Sequence, residues 1–186
     1  MTRVSDVILS LVGLVIGAPI LALLWVLGWL DTGSPLFRQK RVGRYQKPFT
    51  LVKFRTMRPD TQSVATHLTD ASAVTPLGRF VRRTKLDELP QLWNVLKGEM
   101  SMVGPRPCLF NQEELIAERA KRAVFDARPG ITGLAQVRGI DMSTPRLLAE
   151  TDAQMLASMN IKAYFRFIMA TVTGSGQGDR IRPGEK

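Results

Sequence analysis

Two adjacent carboxylates, Asp87 and Glu88, stand among cations: Arg82, Arg83 and Lys85 precede them and Arg106 follows. That mixture suits phosphoryl chemistry, because a carboxylate can attack phosphorus or hold a hard metal ion while arginines neutralise phosphate oxygens. Local grammar predicts a helix beginning here. Asp87 is a good N-cap, and Pro90 falls in the first turn, where a missing N–H costs little. Leu89, Leu92, Trp93 and Leu96 follow at helical spacing as its expected buried face, and Gly98 ends the run. The positive end of such a helix favours both carboxylates ionised. Thr84 with Asp87 also fits a plain capping box, so capping accounts for these residues as readily as chemistry does.

The elements that must position this stretch come from a chain of 186 residues, 45% hydrophobic and formally +10. Length and composition support one folded domain, and the charge implies an anionic partner: nucleic acid, a phosphorylated ligand or an anionic membrane surface. A single cysteine, Cys108, excludes an internal disulfide and reads as a small packed residue. The lone histidine, His67, reads as a solvated loop residue, which leaves no Ser-His-Asp triad or zinc site.

Residues 7–30 form an apolar run without a charge, long enough to cross a bilayer as a helix. Pro19 interrupts it, and each half, about 12 residues and about 18 Å long, is too short to span alone. A kinked spanning helix and a helix-break-helix that leaves by the face it entered are both open readings. Arg38, Lys40, Arg41, Arg44 and Lys47 crowd after the run and place the next segment in the cytoplasm, while Trp25 and Trp29 suit the headgroup level.

Residues 37–42 and 49–57 read as two strands of a hairpin joined through 43–48. In the second, Lys53 and Arg55 project from one face as a candidate phosphate clamp, or as a solvated strand face. Residues 59–75 read as a polar loop or flap, and 77–81 as the start of a short helix. Asn111 and Glu114 predict a capped helix with Leu115, Ile116, Ala120, Ala123 and Val124 inward and Arg119, Lys121 and Arg122 outward. Residues 128–133 are turn-rich, and 135–137 read as a strand. Thr144 and Pro145 open a helix whose apolar side carries Leu147, Leu148, Met155, Leu156 and Met159. Residues 161–172 mix aromatics with Lys162 and Arg166, as a helix at a membrane surface or an ordinary packed one does. From Gly174 the tail reads as flexible.

With these motifs assembled, the chain resembles the bacterial sugar transferase family, the monotopic phosphoglycosyl transferases in their small catalytic form. The resemblance rests on the broken apolar run, then Phe37-Arg38-Gln39-Lys40-Arg41-Val42-Gly43, Lys53-Phe54-Arg55-Thr56-Met57, Leu86-Asp87-Glu88-Leu89-Pro90-Gln91, Val103-Gly104-Pro105-Arg106-Pro107 and Arg128-Pro129-Gly130-Ile131-Thr132-Gly133. It implies an α+β fold: a re-entrant helix turned at Pro19, then a small, mainly helical domain with a short hairpin and amphipathic surface helices. The implied organisation is a membrane-embedded segment 1–32, a catalytic domain 33–173 on the cytoplasmic face of the bacterial inner membrane, and a tail 174–186. The implied reaction moves a sugar-1-phosphate from a UDP-sugar to polyprenyl (undecaprenyl) phosphate with Mg²⁺, releasing UMP. Asp87 is then the nucleophile, Glu88 the catalytic partner and Mg²⁺ ligand, and Lys53, Arg55, Arg82, Arg106, Arg128, Gln136 and Asp152 the substrate-binding set.

The chain departs from the family pattern at Leu134, at Arg138-Gly139-Ile140 and after Asp152, and near the start the pattern is reduced to Arg3-Val4-Ser5-Asp6, where Arg3 and Asp6 are spaced to pair on a helix. Beside the UDP-sugar, the polyprenyl phosphate and membrane lipids, no nucleic acid is expected as a partner. The sugar, the pathway and the oligomeric state, a homodimer included, stay open. A membrane-tethered basic nucleic-acid-binding protein and a non-catalytic membrane-surface scaffold are the competing readings, the first weakened by few aromatics and no helix-turn-helix pattern.

Overall fold

The computed structural model describes residues 2–61 and 71–174. His67, most of the polar stretch 59–75 and the tail from 175 onward lie outside the described residues.

Helix α1 (Thr2–Thr32) is a single element that runs on through Pro19. The expected separation into two helices is therefore corrected: Pro19 costs the bond to the carbonyl four residues back and crowds that carbonyl, yet its apolar neighbours remain helical on both sides. One side of α1 packs inward, with Asp6, Ser10, Leu24 and Gly28 buried. Gly13 lies under Leu92, and Gly28 under Pro35. Val15, Ile16, Leu23, Val26, Trp29 and Leu30 are exposed on the rest of the helix.

Both ends of α1 are tied to the remainder of the fold. Arg3 donates to the carbonyls of Val95 and Leu96 at 2.5 and 2.8 Å. Asp6 Oδ1 accepts from Ser101 Oγ, the Met102 N–H and Tyr164 Oη at 2.9, 2.8 and 2.8 Å. At the far end, Thr75 Oγ1 donates to Asp31 Oδ2 at 2.7 Å. Arg3 and Asp6 thus reach separate partners in the domain, where the sequence suggested that they pair with each other.

The hairpin forms as expected. Strands β1 (Leu36–Val42) and β2 (Pro48–Phe54) pair antiparallel from Leu36↔Phe54 to Val42↔Pro48. Its buried Phe49 and Leu51 pack with Val95 and Met100, while Phe54 packs with Leu24 of α1 and Val81. Two short helices follow, α2 (Pro76–Arg83) and α3 (Gln91–Lys97). Strand β3 (Ser101–Val103) then pairs in parallel with β4 (Gly130–Thr132), and between them lies α4 (Glu113–Lys121). Parallel neighbours need a long crossover, and α4 supplies it.

Residues 135–137 belong to the short helix α5 (Leu134–Arg138), not to a strand. Three residues are too few for periodicity to decide, and Gly139 in the left-handed conformation stops the turn as a helix C-cap. Helix α6 (Pro145–Ala157) starts with Pro145 in its first turn as the sequence predicts, although Thr144 makes no side-chain cap bond. Its Leu148 and Met155 are buried while Leu147 is exposed. Helix α7 (Ile161–Val172) is capped by Asn160, whose Oδ1 accepts from the Ala163 N–H at 2.9 Å. Ala163, Tyr164 and Phe167 face the core; Ile161, Phe165, Met169 and Val172 form an exposed stripe at spacings of four, four and three.

Burial, and after it the hydrogen bond and charge of Asp6, push the Tyr164 phenol well above its ordinary 10.0. Stability drawn from a raised phenol is whole below pH 10.0 and declines above it, where the unfolded chain ionises first. The urea midpoint should fall above pH 10.0 more steeply in the wild type than in Tyr164→Phe. Identical pH slopes for the two proteins would refute the linkage.

Candidate active site

The Asp87-Glu88 pair does not open an α-helix. Thr84 Oγ1 donates back to the carbonyls of Phe80 and Val81 at 3.0 and 3.1 Å, so it finishes α2 instead of forming a capping box ahead. Lys85 then adopts the left-handed conformation (φ 58°), and Leu86–Glu88 wind into a single 3₁₀ turn. Helix α3 begins only after Pro90. Asp87 is consequently not an N-cap. It is buried, 6% exposed, and engaged by neighbouring groups, while Glu88 beside it is half-buried.

The later start changes which face of α3 turns inward. Gln91, Leu92, Asn94 and Val95 are buried, and Trp93, expected in the core, is 54% exposed. Leu92 meets Gly13 of α1, and Val95 meets Phe49 of the hairpin, so two neighbours divide the helix between them. Asn94, which sequence reasoning passed over, locks α3 to β2: its Nδ2 donates to the Thr50 carbonyl at 2.8 Å and its Oδ1 accepts from the Val52 N–H at 3.2 Å. β2 also packs against the Leu86–Glu88 turn.

The two glycine-proline motifs meet. Gly104 and Gly130 approach so closely that a Cβ on Gly130 would stand 2.0 Å from the Gly104 nitrogen. The Gly104 N–H donates to the Thr132 carbonyl at 2.8 Å, and the Gly130 N–H to the Pro105 carbonyl at 2.9 Å. From this paired backbone Arg106 reaches the acidic turn, and its Nη2 lies 3.0 Å from Glu88 Oε1. Glu88 and Arg106, expected at one site, are in direct contact.

The other candidate cations are largely occupied. Arg82 Nε donates to Thr56 Oγ1 at 2.9 Å, joining α2 to the Lys53–Met57 stretch. Lys53 and Arg55 do share a strand face, both 5.6 Å from the Phe37 ring centroid. Arg55, however, also donates to the carbonyls of Ser34 and Leu36 and to Ser34 Oγ, so its guanidinium buttresses the start of β1. Arg128 Nε donates to the Gly98 carbonyl at 2.8 Å and holds the end of α3. Gln136 places its amide beside Gly133, where a Cβ would come 2.9 Å from Oε1, and neither amide atom has a hydrogen-bond partner among the described residues.

Asp152 is wholly buried, and its Oδ2 receives Nε and Nη2 of Arg119 at 3.0 and 2.7 Å. No surface of it meets solvent, and the sequence's candidate substrate ligand is held here by Arg119. Burial pushes its carboxyl up against the opposing pull of Arg119. Arg119 is 1% exposed, where the sequence expected it outward, and Ala120, expected inward, is exposed. The missed signal was spacing, since Arg119 follows Leu115 by four and shares its helix face. Cys108 is buried, and burial above all raises its thiol, so it packs as a small apolar group.

For a divalent ion, the described residues hold no group of three His, Cys, Asp or Glu side chains. Glu88 with Asp87 adjacent can serve a hard cation whose remaining ligands are substrate phosphates and water, which is how Mg²⁺ is commonly held.

Comparison with known proteins places the chain as a whole. A family described as "Bacterial sugar transferase" matches residues 1–177. The chain is 40% identical over 162 residues to a Caulobacter vibrioides protein named UDP-glucose:undecaprenyl-phosphate glucose-1-phosphate transferase, covering 81% of this chain and 61% of that one. It is 38% identical over 178 residues to the exopolysaccharide production protein PSS of Rhizobium leguminosarum bv. phaseoli, covering 90% and 88%. An undecaprenyl-phosphate galactose phosphotransferase of Salmonella typhimurium is 39% identical over 154 residues, 74% of this chain and 32% of that one. The chain thus spans less than two thirds of the length of most of these relatives.

Proposed function

We propose, since the chain belongs to the bacterial sugar transferase family, that it moves a sugar-1-phosphate from a UDP-sugar to polyprenyl phosphate and releases UMP. The observation that carries this reading is the Arg106–Glu88 contact of 3.0 Å directly beside Asp87. An Asp87 carboxylate oxygen attacks the phosphorus that bears the sugar. The bond from that phosphorus to the UMP oxygen breaks, and UMP leaves with the electron pair. An oxygen of polyprenyl phosphate then attacks the same phosphorus, returning Asp87 as a carboxylate and giving the lipid diphosphate sugar.

Glu88 is the residue to hold Mg²⁺, which when bound supplies neutralisation of the diphosphate. Arg106 keeps Glu88 oriented and adds positive charge near the phosphates, with Arg82 and Lys53 contributing from α2 and β2. The acceptor is a lipid, so the site belongs at a membrane. A helix bonded to one domain through residues 3, 6 and 31 supports a segment that dips into the cytoplasmic leaflet of the inner membrane without crossing it. The exposed apolar stripe of α7, flanked by Lys162 and Arg166, supports a second contact at headgroup level.

UMP release is the test. Purified protein with Mg²⁺, undecaprenyl phosphate and a panel of UDP-sugars should release UMP with at least one donor and lose that activity in EDTA. No release with any donor, joined to salt-sensitive DNA binding, would move the assignment to a nucleic-acid-binding protein.

A further inference from the structure

We infer that Arg119 is a positioning residue for the transfer: from inside the protein it fixes the backbone of Arg106, and thereby the guanidinium that orients Glu88. The inference rests on the proposed reaction for its meaning, though not for its geometry.

Four consecutive carbonyls, from Pro105 to Cys108, are each held from outside the loop. Pro105 accepts from the Gly130 N–H at 2.9 Å and Cys108 accepts from the Val42 N–H at 3.0 Å. The two between them have arginine side chains as donors: Arg119 Nη1 to Arg106 at 2.8 Å, and Arg41 Nη1 to Pro107 at 3.1 Å. Pro105 and Pro107 flank Arg106 and remove two backbone donors from the loop, so side chains supply part of its anchoring. Arg106 therefore projects toward Glu88 from a backbone with little freedom.

Arg119 can be buried there only because Asp152 neutralises it. Arg119 lines a hollow together with Arg106, Pro107 and Phe125, and Asp152 is the carboxylate that it reaches. A buried ion pair is a poor stability device, because apolar residues of similar volume often do as well or better. What apolar residues cannot do is donate to the Arg106 carbonyl. Lysine at 119 also fails, since one ammonium cannot reach Asp152 and that carbonyl in the geometry of the fork.

The test compares Arg119→Lys, the charge-free pair Arg119→Met with Asp152→Leu, and both again in an Arg106→Ala background. UMP release, melting temperature and the Nε–H NMR signal of Arg106 are measured on the full chain. The expected result is a loss in kcat of about 10–100-fold, the scale of a misplaced catalytic group. In the Arg106→Ala background the same changes should cost less than about 2-fold further, because residues acting in series are not additive. The Arg106 Nε–H signal should move toward that of free arginine. An equal loss in both backgrounds, or an unmoved Arg106 signal in a folded variant, would overturn the inference. If the wild type releases no UMP, the functional reading fails by itself, and the Arg106 signal still decides whether Arg119 places that side chain.

Discussion

Asp87→Asn should abolish turnover, by about 10³-fold or more, while the protein melts near the wild-type temperature. Asparagine keeps the shape of the side chain and an acceptor oxygen, which a position 6% exposed in a tight turn requires. It removes only the charge and the oxygen that would become bonded to phosphorus. The decisive measurement is intact mass after incubation with Mg²⁺ and UDP-sugars, with no lipid acceptor. The wild type should gain a sugar-phosphate and the variant should gain nothing. Normal turnover in Asp87→Asn would sink the nucleophile assignment, and a large drop in melting temperature would show Asp87 to be chiefly a structural group.

The second large effect belongs to a residue with no reactive atom. Gly130→Ala would put a methyl 2.0 Å from the nitrogen, 2.5 Å from the Cα and 2.7 Å from the carbonyl oxygen of Gly104, all of them backbone atoms that cannot rotate aside. Relief requires β3 and β4 to separate, with loss of the bonds Ser101 N–H to Pro129, Gly104 N–H to Thr132 and Gly130 N–H to Pro105. At about 1 kcal/mol net for each bond, the cost is about 3 kcal/mol or more, or about 6–12 °C in melting temperature. Gly17→Ala is the control. Nothing lies within 4 Å of that position, so the substitution should be neutral or slightly stabilising in the helix. A Gly130→Ala protein that melts with the wild type would show that the two backbones leave room for a methyl group.

What the sequence made legible was whatever depends on neighbours along the chain. Alternation fixed the hairpin, and Pro145 and the apolar spacing fixed α6. The turn that carries Asp87 and Glu88 was misread because Asp87 and Pro90 satisfy helix-start grammar, whereas the left-handed Lys85 that diverts the chain is not written in the residue type. Trp93 and Arg119 exchanged their expected places for a tertiary reason. α3 is shared between α1 and the hairpin, which leaves Trp93 outside, and Asp152, 33 residues away, makes burial of Arg119 tolerable. Among the site residues, Glu88 and Arg106 were found together as expected. Residue types alone could not reveal that Arg55 and Arg128 hold carbonyls and that Asp152 holds an arginine.

The bond from Tyr164 to Asp6 joins residues 158 positions apart, and it bears on how the protein is made. At about 5–20 residues per second, α1 leaves the ribosome about 10–30 s before the helix carrying Tyr164 exists. Asp6 has none of its three partners until Ser101 and Met102 are made, it lacks Tyr164 to the end of that interval, and a lone carboxylate is costly in hydrocarbon. If α1 enters lipid as proposed, its first turn must wait at the water boundary while the rest of the apolar helix inserts. Its final depth is then set by a late folding event, when α7 arrives and closes over the carboxylate.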